Sequence, residues 1–512
     1  MYLLGIDVGT TGCKAAVFTP KGAIVALRYT EYNIQRPKPR TAELDSASVW
    51  KQIHAVIRDA VAASAVGQEI GAVAVTSMGE NMVPVTRDRT ILGPSILNVD
   101  HRGEEFLCDL EARMPVDQLY ALNGNVWGNQ YSLPKLLWIR KHQPELYART
   151  DYFLHWAAFV TFMLGGEPAV DFSLANRSLL FDITRETWSD DLLSLSGIDR
   201  EKLPRPVPSG TPVGAVGARQ AEALGLTAGI PLVSGAHDQC ANALGCGVIE
   251  DGMAMYGMGT FPTIAPVYAS VPAPAVMIQN GLNTEHHAVP GRYISFLFHM
   301  GGSAVKWYRD TFAAEEHRAA QEAGRDLYGD LFSEMPTRSA PVLVLPRFAP
   351  MGPPDFEDRP WAAMLGLSVE TTRGEVLKGI VEGNTLALNL SVEKLPEAGV
   401  EVKEFRAVGG GSKSDQGVQI AADILGRPMT RSLVTEAGAL GAAMLAGIGA
   451  GVYAHAADAV SATAQLGDTL EPDARRHAVY QETFELYKEF RTRTADLANR
   501  WNDLQQRVME QG

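Results

Sequence analysis

The segment Leu3-Leu4-Gly5-Ile6-Asp7-Val8-Gly9-Thr10-Thr11-Gly12-Cys13-Lys14-Ala15-Ala16-Val17-Phe18 decides how this chain is read. An apolar strand signal ends in a carboxylate, passes through a Gly-Thr-Thr-Gly turn and resumes as a second apolar strand. Such a turn presents backbone N–H groups and hydroxyls, the donors a polyphosphate requires, and a carboxylate at the strand end can hold Mg²⁺ directly or through water. No Gly-Lys-Ser/Thr follows at Walker A spacing. After the Lys21-Gly22 turn a third apolar run, AIVALRY, completes a meander, which is not the βαβ start of a dinucleotide-binding domain.

Working outward, the same device returns in GMAMYGMGTFPTIAPV (252–267), where Gly259-Thr260 stands in a turn between two apolar runs. A third candidate loop is Gly409-Gly410-Gly411-Ser412-Lys413-Ser414, which follows the strand signal FRAV and opens the helical pattern DQGVQIAADIL. A glycine run at a helix start allows close approach of a ribose or phosphate. Between the first two loops, residues 46–63 have helical spacing, GAVAVTSM (71–78) reads as a buried strand entering a polar loop, and the Pro/Gly-rich passage 203–217 reads as a separator. Glu285-His286-His287 reads as a polar loop. The last forty residues form an amphipathic helix with Tyr480, Phe484, Tyr487 and Phe490 on its packing side.

Composition narrows the function classes. At 512 residues the chain exceeds one ordinary core. A formal net charge of −14 argues against nucleic acid and against an anionic membrane as partners. Four cysteines (Cys13, Cys108, Cys240, Cys246) do not make a disulfide framework and fit a reducing, cytoplasmic setting. No signal peptide is read at the N-terminus. The uncharged run AGALGAAMLAGIGAGVYA (437–454) is built of Gly and Ala, so it reads as a buried helix that lets another backbone come close, not as a membrane span. His237, Cys240 and Cys246 lack the paired spacing of a zinc site.

Two hairpin phosphate loops and a later glycine loop give the sequence its resemblance to the actin/Hsp70/hexokinase superfamily. The loop SGAHDQCANALGCG (234–247) narrows this to the FGGY family of carbohydrate kinases, together with AELD (42–45) and Trp50, NVDHR (98–102), YSLPKLLWIRKHQPELYAR (131–149), GMGT (257–260), VGGGSKSDQGVQIAADILGRP (408–428) and TEAGALGAAMLA (435–446). The resemblance implies an α/β protein of two actin-like (ribonuclease H-like) domains, 1–247 and 248–512, with an interdomain ATP cleft. It implies ATP and Mg²⁺ as cofactors, a small sugar or polyol as the acceptor, and allows a homodimer.

Carried over by position, the resemblance makes Asp238 the general base, with Gln239 beside it, and Asp7 the Mg²⁺ residue. Thr10, Thr11 and Lys14 would line the phosphates from one side, Gly259 and Thr260 from the other, and Gly410, Gly411 and Ser414 would lie near adenosine. An Asp at a helix start is also a common cap, and Lys14 alone could be a solvated charge. On the acceptor side the resemblance points to Glu80 and Gln130.

The acceptor expected is a ketopentose such as xylulose. Ser77-Met78-Gly79-Glu80-Asn81 nevertheless departs from the Gln-Met-His-Gly of xylulokinases and the Arg-Glu of glycerol kinases, and some pieces look like autoinducer-2 kinases. Phe261 replaces a serine common in relatives, and residues 349–354 replace a Gly-Glu-Arg-x-Pro loop. An actin-like ATPase without an acceptor would need no counterpart of Asp238.

Overall fold

Residues 3–18 fold as the hairpin their sequence requires, with strands Tyr2–Val8 and Gly12–Phe18 antiparallel and Asp7 opposite Lys14. The computed structural model describes residues 1–259, 262–298, 301–348 and 359–511, the side chains of 510 and 511 excepted. Strand Ile24–Glu31 extends the hairpin on one side. On the other, Ile70–Ser77 and then Pro231–His237 run parallel to Tyr2–Val8, and Pro212–Ala215 closes this six-stranded sheet as an antiparallel edge. The Pro/Gly passage read as a separator therefore contributes an edge strand, a place where proline's missing N–H costs least.

The second sheet repeats the plan. Met253–Gly257 and Thr263–Tyr268 form its hairpin, Glu404–Val408 and Met429–Ser432 add parallel strands, and Leu466–Leu470 is the antiparallel edge. Beyond the hairpin lie Tyr293–Ile294 and Glu285–His286. The segment read as a polar loop is thus a buried strand end: Glu285, His286 and His287 are 0%, 3% and 4% exposed.

Helix Ser46–Ser64, capped by Asp45, buries Val49, Ile53, Val56, Ile57 and Ala60, the stripe expected at helical spacing. Tyr480, Phe484 and Tyr487 of the C-terminal helix Ala474–Gln511 are buried with Ile420 and Ile424 of helix Asp415–Leu425.

The packing that matters most for the site involves helices Asp238–Gly245 and Ala437–Gly449 and strand Tyr2–Val8. A Cβ built on Gly5 would lie 1.9 Å from the carbonyl oxygen of Ala439, one on Gly441 2.0 Å from that of Ala241, and one on Gly245 2.1 Å from that of Ala437. Backbone meets backbone at each point, so only glycine fits. No helix among the described residues is long and apolar enough to cross a membrane; the Gly/Ala run uses its small side chains for close approach within the protein.

Gly441→Ala should therefore lower Tm even though alanine is the better helix former, because overpacking costs about 1–3 kcal/mol and each kcal/mol is worth roughly 2–4 °C in a larger domain. Gly329→Ala, in a helix where a Cβ would meet nothing within 4 Å, is the control and should leave Tm unchanged or slightly raised. Equal thermal melts for the two variants would contradict the contact at Gly441.

Candidate functional site

Three parallel strands end side by side at one edge of the first sheet. The register pairs Val8 with Ser77 and Ser77 with His237, so Asp7, the loop 78–81 and Asp238 all leave from the carboxyl ends of neighbouring strands. That edge is where open α/β sheets bind ligands, because the chain must turn there and its polar groups are not spent on the ladder.

Asp7 is partly exposed, and a Cβ on Gly438 would lie 2.7 Å from its Oδ2, so its carboxyl rests against the start of helix Ala437–Gly449. Burial, opposed by Lys14 and assisted by Glu436, pushes its pKa up to about 6. The turn after it is clamped: Gly9 N donates to Gly12 O at 2.9 Å, and the Tyr32 hydroxyl donates to the carbonyl oxygens of Gly9 and Gly12. Thr11 lies exposed at this turn and Thr10 partly so. Lys14 is not a solvated charge. Its Nζ donates to Glu436 Oε2 at 2.7 Å, tying the first hairpin to the residue before helix Ala437–Gly449.

Asp238 opens its helix with a side chain 25% exposed, and its Oδ1 lies 3.2 Å from His237 Nε2. Its pKa is raised to about 7, first by burial and then by the charges of Asp7 and Glu80, while hydrogen bonds from Gln239 pull it back. Gln239 is partly exposed beside it. Burial pushes the His237 imidazole well below its ordinary value, aided by Arg177 and His155, so the ring is a neutral neighbour of Asp238.

Glu80 is 6% exposed and already engaged. Arg177 donates to its Oε1 through Nε at 2.8 Å and through Nη2, and Asn98 donates to Oε2 at 3.2 Å. The same guanidinium donates through Nη1 to Glu285 Oε1 and stacks 4.9 Å over the ring of Tyr131. Gly79 makes room for this: a Cβ there would lie 3.0 Å from His237 Nε2 and 3.2 Å from Arg177 Cγ. Both amide atoms of Asn81, Nε2 of Gln130 and Oε2 of Glu285 are shielded without a hydrogen-bond partner, a set of unused polar groups suited to a hydroxyl-rich ligand.

Sequence reasoning missed Arg177, Glu285 and His237 as members of this cluster. The signal available was one arginine in the apolar context of LANRSLLFD (174–182), and only the fold brings its partners to it.

In the second half, Met258 ties the hairpin end to the glycine loop. Its N donates to Val408 O at 2.7 Å, and its carbonyl accepts from Gly411 N at 2.8 Å. Among the described residues, a Cβ on Gly259 or Gly410 would meet nothing within 4 Å. The glycine run is a 3₁₀ turn, Gly410–Lys413, and Ser414 Oγ caps the next helix by accepting from Gly417 N at 3.1 Å. Thr260, Phe261 and residues 349–354 lie outside the described residues.

Asp7 and Asp238 are oxygen donors, and the charge of Asp7 raises the proton affinity of Asp238, which a hard divalent cation would relieve. Among the described residues no three His, Cys, Asp or Glu side chains form a cage for a metal. That donor set fits Mg²⁺, which uses one or two carboxylates together with phosphate oxygens and water.

The profile described as the FGGY family of carbohydrate kinases, N-terminal domain, matches residues 2–245, and that of the C-terminal domain matches 266–450. An autoinducer-2 kinase of Escherichia coli is 28% identical over 510 residues, covering 94% of this chain and 92% of that protein. The crystal structure of a xylulose kinase from Rhodospirillum rubrum superposes with a TM-score of 0.86 at 27% identity, covering 98% of this chain and 100% of that one. A Plasmodium falciparum glycerol kinase with ADP shares the fold, with a TM-score of 0.82 at 20% identity over 95% and 97% of the two chains. With two actin-like domains and both family profiles matched in order, the chain belongs to the FGGY family of carbohydrate kinases.

Proposed function

We propose that this chain transfers the γ-phosphoryl group of ATP to a hydroxyl of a small sugar, a ketopentose such as xylulose, with Asp238 as general base and the chain divided between its two domains near residue 247. The observation that carries the reading is the Asp238 carboxyl: partly exposed at a strand end, on the same end of the sheet as Asp7, and raised to about 7 by burial and by the charges of Asp7 and Glu80. A base with a pKa near the working pH has both the right protonation state and enough driving force to take a proton. Asp238 would accept the sugar's hydroxyl proton as that oxygen attacks phosphorus; Glu80, Gln130 and Gln239 would orient the acceptor.

Thr10, Thr11 and Lys14 would meet the phosphates from the first hairpin, and Gly259 with Thr260 from the second; Lys14 would then exchange Glu436 for phosphate. Gly410, Gly411 and Ser414 would flank adenosine. When bound at Asp7, Mg²⁺ neutralises phosphate charge. Little covalent demand falls on the protein, so alignment and charge placement supply most of the rate. The autoinducer-2 kinases among the relatives favour a second reading, in which autoinducer-2 is the acceptor. A cytoplasmic location agrees with either.

ADP release measured with xylulose, other ketopentoses, aldoses, alditols and autoinducer-2 separates these readings. Turnover of xylulose ahead of the rest is expected, and acceptor-independent hydrolysis alone would overturn a sugar kinase. Asp238→Ala should lower kcat by about 10²–10⁴ with little change in nucleotide affinity.

Stability gives an independent check. The folded Asp238 carboxyl keeps its proton up to about pH 7, whereas the unfolded one releases it near its ordinary value of 3.8, so the fold loses stability as pH rises between the two. Asp238→Asn should therefore be inactive yet melt higher than the parent at pH 8, by roughly 2 °C or more, with the gain vanishing near pH 4. A lower Tm at pH 8 would mark Asp238 as structural.

A further inference from the structure

The pair of carboxyl groups on Arg177 has a consequence for the kind of acceptor the site accepts. Arg177 comes from the first half and Glu285 from the far edge of the second sheet, so the cluster forms only when both are folded together. Nε and Nη2 go to Glu80, and Nη1 goes to Glu285. Among the described residues no other cation is within salt-bridge distance of Glu80 or Glu285. One guanidinium thus serves two carboxyl groups, and Oε2 of Glu285 is left with no donor. Arg177 keeps 10% of its side chain exposed while Glu285 is sealed at 0%, so a ligand reaches the edge of the arginine and feels the carboxyl behind it.

We propose that Glu285, by offsetting the charge of Arg177 together with Glu80, is a specificity-determining residue that makes the acceptor site reject anionic sugars such as aldonates and admit neutral polyhydroxylated ones. The inference rests on the acceptor site being where the proposed function puts it. An arginine beside a binding site is ordinarily a carboxylate receptor through its two-pronged donors. Here three of the five N–H donors go to carboxyl groups, and an incoming carboxylate meets surplus negative charge from Glu285, Glu80 and Asp238. Neutral hydroxyls meet no such charge.

The proton balance supplies a handle that needs no mutation. Burial raises the Glu285 carboxyl to about 7, with Arg177 opposing and Glu80 adding to the shift. The other titratable groups facing Glu285 are Tyr120, Tyr131, Tyr268 and Cys240, all pushed upward by burial and neutral between pH 6 and 8. His155 and His237, which face Arg177, are pushed down and neutral there as well. Between pH 8 and pH 6, Glu285 and Asp238 both gain protons and Arg177 regains uncompensated charge, while an aldonate stays ionised, since an α-carboxyl titrates near about 3.5.

The test is calorimetric binding of D-xylonate, with D-xylulose in parallel, to the full-length protein holding a nonhydrolysable ATP analogue. D-Xylonate should bind the parent about tenfold or more tightly at pH 6 than at pH 8, and Glu285→Gln should bind it at pH 8 with a comparable gain, the worth of one charge-assisted hydrogen bond. Xylonate affinity in the parent that does not rise at pH 6 would overturn the proposal, as would a folded Glu285→Gln protein with no gain. If that variant does not fold, the same pH series on Asp238→Asn decides, because Asp238 also gains a proton in this window and is neutral throughout in that variant. Turnover of D-xylulose reads the proposed function separately, so either can fail alone.

Discussion

Backbone contact between two helices and one strand is the constraint on which the rest of this molecule depends. Gly5, Gly245 and Gly441 each leave a gap that a single methyl group would close, and the gaps let helices Asp238–Gly245 and Ala437–Gly449 sit directly against each other and against strand Tyr2–Val8. Because dense interiors transmit small displacements, the spacing of these three elements sets the spacing of what they carry at their ends. Asp7 lies one residue before the strand's end, Asp238 begins one helix, and Glu436 precedes the other with its salt bridge to Lys14. A helix from late in the chain is thereby fastened to the opening hairpin.

The convergence concentrates carboxyl groups. The charges of Asp7 and Glu80 raise Asp238, and Glu285 lies across the Arg177 guanidinium from Glu80. Shielding like charges from water is unfavourable until a proton, a cation or a donor arrives, so such a site is poised for a ligand and contributes little to stability by itself. Neutral histidines and Arg177, engaged by two carboxyl groups, lie on the side proposed for the acceptor. Among the described residues, Gly259 at the second hairpin and Gly410 in the glycine loop leave room on the side proposed for the nucleotide. In the proposed reaction the two halves thus bring different chemistries.

Much of the fold was legible because its signals are local. Apolar runs broken by Gly-Thr turns gave both hairpins, and the Gly/Ala run announced a helix made for close approach. Family motifs carried the positions of Asp7 and Asp238. What escaped were relations between distant residues. Lys14 could not be paired with Glu436, 422 positions away, from spacing alone. Arg177 and Glu285, 108 positions apart, meet only after two sheets have formed, and Glu285 looked like a polar loop because charge was read as exposure. Gly79 looked like a missing arginine, whereas its lack of a side chain makes room for Arg177 and His237.

The central claim is that packing forces Asp7 and Asp238 to share a shielded site and so tunes Asp238. Carbon-13 detected titration of the protein with labelled aspartate carboxyls, in the parent and in Asp7→Asn, tests it without catalysis. Asp238 should titrate near 7 in the parent and at a lower pH in the variant, because one of the charges that raises it has been removed. An Asp238 carboxyl that titrates near its ordinary value in the parent, or that does not move when Asp7 is neutralised, would contradict the account.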